Sequence, residues 1–429
     1  MSATDRGGGR HHFRGDAAPA SPRLGHGHGH GHGHGHGPAP PASRRVRVLL
    51  VAVLVPVALA TLVGLWVTWP GDAPRSGVDI GFGQRPVHGE VLAASGAPCS
   101  AGSAEVGGAG ETNKCISLDV RLTDGDSPGV TIQQVLPDEP STPRFTVGDQ
   151  VVLAYTGGNL SDSGSYQVQD FQRGSSMLWL AALFAAAVLL LGRWRGLASL
   201  TALGFSFLIL VVYLFPAILA GADPVIVGVL AASVIMFGVL YLSHGVSART
   251  SSAVLGTVLS LALIGALGTA FSAATQLTGL DDDTGNLIRV LGHGVDARGL
   301  LLAGMIIGAL GVLDDVTVTQ TSAVWELRRA NPALGSRALY TAALRIGRDH
   351  ISSAVNTLAM AYAGAALPVL LTFSLSGQNF GTLITAQNVA QEVVRTLVGS
   401  IGLVAAVPIT TAIAALVARR DEVDSAAQE

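Results

Sequence analysis

Charge is scarce in this sequence: 13% of its 429 residues are Asp, Glu, Lys or Arg, and the formal net charge is −3. Without a basic excess there is no electrostatic footprint for a phosphate backbone, so nucleic-acid binding is not expected. A chain disordered throughout is excluded as well, because 49% of the residues are apolar. Lysine is almost missing: among 26 basic residues only Lys114 is a lysine, which reads as coding bias rather than function. Motifs that carry chemistry are missing too. There is no Walker loop, no G-x-S-x-G, no H-E-x-x-H and no haem attachment motif. A catalytic reading has no specific support, no enzyme activity is expected and no cofactor is implied.

What is present is apolar sequence in blocks of about 16 to 24 residues, nearly free of charge, each long enough to cross a bilayer as a helix. Seven blocks follow Met177, at 177–192, 197–219, 224–243, 250–273, 300–323, 351–373 and 396–417. An eighth precedes them. Residues 1–45 are Gly, Pro, Ala, Arg and His, a composition that builds no core and reads as a disordered cytoplasmic tail. Arg44, Arg45 and Arg47 then introduce the apolar stretch Val48 to Trp69. It exceeds the usual length of a signal peptide's apolar region and no small-x-small cleavage site follows, so 46–69 reads as an uncleaved signal anchor.

Between 70 and 176 the composition turns to Gly, Asp, Thr and Val. Short alternating runs such as Val130 to Ile132, Thr146-Val147 and Gln150 to Tyr155 are separated by turn signals such as Thr123-Asp124-Gly125-Asp126. A small β-barrel-like domain fits, placed outside the cytoplasm. Cys99 and Cys115 are the only cysteines in the chain. In that compartment they suggest a disulfide, worth roughly 3 kcal/mol on a loop-entropy estimate, with two unpaired thiols as the alternative.

Arginine placement tests the span count. With the amino terminus inside, Arg44, Arg45, Arg47, Arg193, Arg195, Arg249, Arg328, Arg329, Arg337, Arg345, Arg348, Arg419 and Arg420 all fall inside, and only Arg289, Arg298 and Arg395 lie in short outer loops. Trp66, Trp69, Trp179, Trp194 and Trp325 fall near span ends, where the headgroup zone favours them. The expected fold is an α-helical integral membrane protein with eight spans, the β-domain between the first and second, and both termini, including the tail 419–429, in the cytoplasm. Two outer segments, around Leu287 to Val295 and Ile384 to Leu397, carry helical periodicity and read as short helices lying on the outer surface or packed on the bundle.

The sixth span holds adjacent carboxylates, Asp314 and Asp315. A mid-span charge costs about 2.5 to 3.5 kcal/mol on insertion scales, so the pair needs water or a partner. Asp315, Thr319, Ser322 and Glu326 share one helical face, which Gly304, Gly308 and Gly311 continue, combining a line of oxygens with close helix approach. Asp314 lies on the side of Leu310 and Val318. In the seventh span Asp349, Ser352 or Ser353, and Asn356 share a face that continues as Ala359, Ala363 and Gly364, with His350 at its cytoplasmic entrance. These oxygens suit hard cations or proton relay, while helix capping is the structural alternative. His26, His28, His30, His32, His34 and His36 alternate with glycine and form at most a weak, fluctuating site for Zn, Ni or Cu, with low-complexity drift as the alternative.

The stretch Gly308 to Val316, followed by Glu326-Leu327 and Asn331-Pro332, resembles the signature of the YibE/F family of bacterial multi-span membrane proteins. Gly347-Arg348-Asp349, Asn356-Thr357-Leu358, Ala361-Tyr362-Ala363-Gly364 and Gly399 to Leu403 with Pro408-Ile409-Thr410 extend the likeness. It covers roughly Pro86 to Ala418. The resemblance implies a bacterial plasma-membrane protein with an outer β-domain after the first span. The family's single aspartate in the sixth span falls on Asp315, which makes Asp314 a local addition, and the long His-Gly start departs from the family pattern. The function expected is a permease for an unknown small solute or ion, using the polar faces of the sixth and seventh spans. The alternative is a membrane scaffold or sensor whose β-domain binds a partner. Beyond the lipid bilayer, no partner or oligomeric state is specified.

Overall fold

The computed structural model describes residues 43–71, 85–99, 114–280, 295–375 and 379–426, together with 284, 285, 288 and 377. The candidate metal ligands His26, His28, His30, His32, His34 and His36, and most of the segment from Leu287 to Val295, lie outside the described residues.

The β-domain is one antiparallel sheet of β1 (Arg85–Pro98), β2 (Lys114–Leu122), β3 (Thr131–Pro137), β4 (Gln150–Tyr155) and β5 (Tyr166–Phe171), in the order β3-β2-β1-β4-β5. Strand β1 is long enough to serve two neighbours. It pairs with β4 through Arg85–Glu90 and with β2 from Gly89 onward, and a register shift between Val91 and Ala93 bends it. The sheet curls, because the turn before β5 reaches β3: Ser163 Oγ accepts from Gln133 N at 3.1 Å and Ser163 O from Gln134 Nε2 at 2.6 Å. Alternation places Val91, Leu118, Val120, Ile132 and Leu153 in the enclosed core. Thr146-Val147 is a turn rather than a strand, since Thr146 donates from its backbone N–H and its hydroxyl to Asp149 Oδ2, an alternative to ladder pairing. In the turn after β2, burial pushes the Asp124 carboxyl up, but the His88 backbone N–H and imidazole outweigh that and hold it below the usual carboxylate range.

Cys99 and Cys115 are joined, with Cα atoms 5.2 Å apart. Reduction, which supplies two electrons and two protons, is therefore expected to add two hydrogen atoms to the mass of the linked peptide pair. Full labelling of both thiols without reductant would refute the bridge.

The helices are α1 (Arg44–Val67), α2 (Gly174–Ile209), α3 (Phe215–Leu219), α4 (Pro224–His244), α5 (Ala248–Ala274), α6 (Ala297–Ala330), α7 (Ser336–Ala365), α8 (Leu367–Leu375), α9 (Phe380–Thr385) and α10 (Gln387–Ala426), with a π turn over Leu210–Leu214 linking α2 to α3. Among the described residues six segments are long and apolar enough to cross a membrane: Arg44–Val67, Gly174–Leu219, Pro224–His244, Ala248–Ala274, Ala297–Ala330 and Gln387–Ala418.

This departs from the eight expected blocks in two places. Blocks 177–192 and 197–219 fall in one segment, but the helix breaks at Arg193 (φ 51°, ψ −128°). A Cβ on Gly196 would lie 2.3 Å from the Val188 carbonyl oxygen, whereas eight residues of unbroken helix span about 12 Å. The chain doubles back there. Block 351–373 is divided between α7 and α8 at Ala366, because Pro368 has no N–H to give the carbonyl of Gly364. The short helix expected around 384–397 is divided: Ile384 lies in α9, and from Gln387 the segment is the start of α10, continuous with the last span.

Helices α5, α6, α7 and α10 enclose a common core that includes Ile264, Met305, Leu313, Leu403 and Val407. Their backbones approach closely at glycines. An added Cβ would meet Thr410 Oγ1 at 2.3 Å from Gly256, Val407 Cγ1 at 2.5 Å from Gly347, and Ile264 Cγ1 at 2.1 Å from Gly402. Helix α1 joins the bundle through Thr68, whose hydroxyl lies 2.6 Å from the Tyr213 hydroxyl, and through Trp69, stacked on the Tyr213 ring. The outer surfaces stay apolar: Leu178 is 72% exposed and Leu191 90%. Hydrocarbon, not water, is the solvent that matches such a surface.

Candidate functional site

Helix α6 begins at Asp296, whose side chain accepts from Arg298 N at 3.1 Å, and ends with Arg328 and Arg329 in its last turn, charges that suit each pole of the helix dipole. Between these ends it has two unlike faces. Leu302, Met305, Ile306, Ala309, Leu313, Val316, Thr317, Gln320, Thr321 and Val324 are buried. Gly304, Gly308, Gly311, Asp315 and Thr319 are exposed, and Ser322 is half-buried.

The stripe identified in the sequence is thus a real face, but it is an open one. The close helix approach expected of its glycines does not occur: nothing lies within 4 Å of a Cβ added at Gly304 or Gly311, and at Gly308 only the Tyr362 hydroxyl does. Glycine at one spacing serves close packing or leaves room, and only the neighbouring helix decides which. Here α7 stands off.

Asp315 carries its carboxylate on this face, with 75% of the side chain exposed and Oδ2 3.8 Å from His350 Nε2. Its stripe of small and polar neighbours makes Asp315 the expected protein-facing member of the pair. The structure reverses that, since Asp314 is the enclosed one. Its Oδ1 is buried with no hydrogen-bond partner among the described residues. The reversal follows from helix rotation: Asp314 shares its side with the buried Leu310 and with Thr317, and neighbours in a helix point about 100° apart.

The two polar stripes do not meet as expected. Helix α7 turns His350 and Tyr362 toward α6, at Asp315 and Gly308. Asp349, Ser352, Ser353 and Asn356 are exposed, and no hydrogen bond or ion pair among the described residues joins Asp349 or Asn356 to α6. Glu326 pairs with Arg329 at 3.0 Å, a surface contact at the helix end.

A second polar set, not singled out from the sequence, lies on the buried side of α6. Thr317 Oγ1 is 2.9 Å from Thr257 Oγ1 of α5, and Gln320 Nε2 donates to the Ala343 carbonyl of α7 at 2.8 Å. Thr317, Gln320 and Thr321 recur at i, i+3 and i+4, the spacing that could have flagged them. Carboxylate, hydroxyl and imidazole groups on an open face suit the passage of a hard cation, a proton or a small polar solute. Among the described residues no group of three or more His, Cys, Asp or Glu is positioned to hold a metal ion.

The sequence model of the family described as YibE/F-like protein matches residues 180–420. No curated protein and no solved structure matches the chain. The family match takes in more than half of the chain, every helix from the first span after the β-domain onward, and the chain belongs to the YibE/F-like family.

Proposed function

We propose that this member of the YibE/F-like family is a permease that passes a small polar solute or an ion along the open face of α6, without covalent chemistry. The observation that carries the reading is the Asp315 carboxylate, exposed midway along a 34-residue helix whose other face is core. Against lipid such a charge costs about 2.5–3.5 kcal/mol. A water-filled path removes that cost, and the room beside Gly304 and Gly311 supplies its width. His350, with Nε2 3.8 Å from Asp315 Oδ2, stands near enough to tune the charge a solute meets.

In this reading the chain crosses the bacterial plasma membrane eight times. The doubling back at Arg193 supports two crossings within Gly174–Leu219, and α7 with α8 makes the seventh. Helix contacts support alternating directions: Gly256 meets Thr410 while Ile264 meets Gly402, so α5 and α10 run antiparallel. The arginines then leave both termini in the cytoplasm, and the disulfide-bearing β-domain stands outside, where oxidation is sustained. Cysteines introduced at Gly221 and Gly285 are expected to react with an impermeant reagent on intact cells, and one at Gly335 is not. Labelling at Gly335 would overturn the arrangement.

The direct test is flux. Purified protein in liposomes is expected to move at least one of the candidate species among protons, monovalent cations and divalent metals. If nothing crosses, and the β-domain instead captures a protein partner, the chain is a scaffold or sensor.

A further inference from the structure

A cavity of about 690 Å³ lies between α7, α8 and α10, and the path along α6 makes no use of it. Much of its wall is apolar, including Ala363, Val369 and Leu370, but one turn of α10 brings Gln391, Glu392 and Arg395 to it. Gln391 is only 3% exposed, and its Nε2 has no hydrogen-bond partner among the described residues. Nε of Arg395 is buried without a partner in the same way, while its Nη1 donates to Glu392 Oε1 at 2.6 Å.

Both orphan groups are buried N–H donors, and leaving such donors unpaired is costly. A ligand that satisfies them must bring acceptor oxygens. The neighbouring Glu392 sets a second condition: its charge and that of Arg395 sum to zero, so a head without net charge matches the site better than an anionic one. A phosphate beside an ammonium meets both conditions, with oxygens toward Gln391 and Arg395 and the cation toward Glu392. The apolar wall matches the chains that follow such a head. Depth agrees as well: residues 396–418 are free of charge, about 35 Å of helix, which fills the hydrocarbon layer and leaves the Gln391–Arg395 turn among headgroups.

We propose that this cavity is a binding site for a zwitterionic phospholipid of the ethanolamine type, independent of whether the protein transports anything. The test is native mass spectrometry on the delipidated full-length chain, with added phosphatidylethanolamine, phosphatidylglycerol or the tail-less glycerophosphoethanolamine. Phosphatidylethanolamine is expected to be retained best. Gln391→Leu is expected to lower its retention about fivefold, the scale of one buried hydrogen bond. Ala363→Phe, which fills the apolar wall, is expected to lower it without touching the polar turn. Equal retention in the wild type and both variants would overturn the site. Preference for phosphatidylglycerol would overturn the role given to Glu392, and equal binding of the tail-less head would mean a site for a free solute rather than a lipid.

Discussion

Asp315→Asn is expected to lower solute flux in liposomes about tenfold or more, the effect of removing about 1.4 kcal/mol of favourable interaction, while leaving folded yield and melting temperature unchanged. The substitution preserves volume and hydrogen-bonding reach and removes the charge. Because most of the side chain is exposed and its one ion-pair neighbour among the described residues is His350 at 3.8 Å, no packing is lost with it. Asp314→Asn is expected to act differently. Its inward oxygen is closed off from the open face, so flux should fall much less, and relief of a buried charge should hold or raise the melting temperature. Flux and thermal melts on the two variants separate the roles. If both substitutions behave alike, or Asp315→Asn is silent while the wild type is active, the path along α6 is wrong.

The second large effect is structural and concerns glycines that look alike in the sequence. Gly402→Ala is expected to destabilise the bundle by about 1–3 kcal/mol, read as a fall in melting temperature and in monodisperse yield. The new methyl would stand 2.1 Å from Ile264 Cγ1, and Ile264 is itself 1% exposed in the packed core, so neither side can yield cheaply. Gly256→Ala, at 2.3 Å from Thr410 Oγ1, is expected to act in the same direction. Gly304→Ala and Gly311→Ala place their methyl groups in open space. They should be neutral or stabilising by about 0.5–1 kcal/mol, since alanine is the better helix former. If Gly402→Ala proves harmless, α5 and α10 do not pack as described.

These contrasts mark where sequence reasoning stops. The strands at Gln150–Tyr155 and Thr131–Pro137 follow from alternation, and the helices from uninterrupted apolar length, because both are properties of a few turns of chain. The stripe of Gly304, Gly308, Gly311, Asp315 and Thr319 was equally legible, since residues three and four apart in a helix must share a side. Which side faces inward was not. Thr317 and Gln320 occupy a stripe of similar polarity, and that one is buried against α5 and α7.

By itself, then, the sequence determined that long apolar helices and a small β-domain would form, that two cysteines were available to each other, and that the carboxylates of the sixth span would share a narrow length of helix. Only the tertiary structure decided that Asp315 is open and Asp314 enclosed, that His350 and Tyr362 rather than Asp349 and Asn356 turn toward α6, and that close approach occurs at Gly256, Gly347 and Gly402. Periodicity fixes the angle between residues on one helix. It carries no information on the rotation of that helix against its neighbours, which is set by the packing of side chains drawn from several distant segments at once.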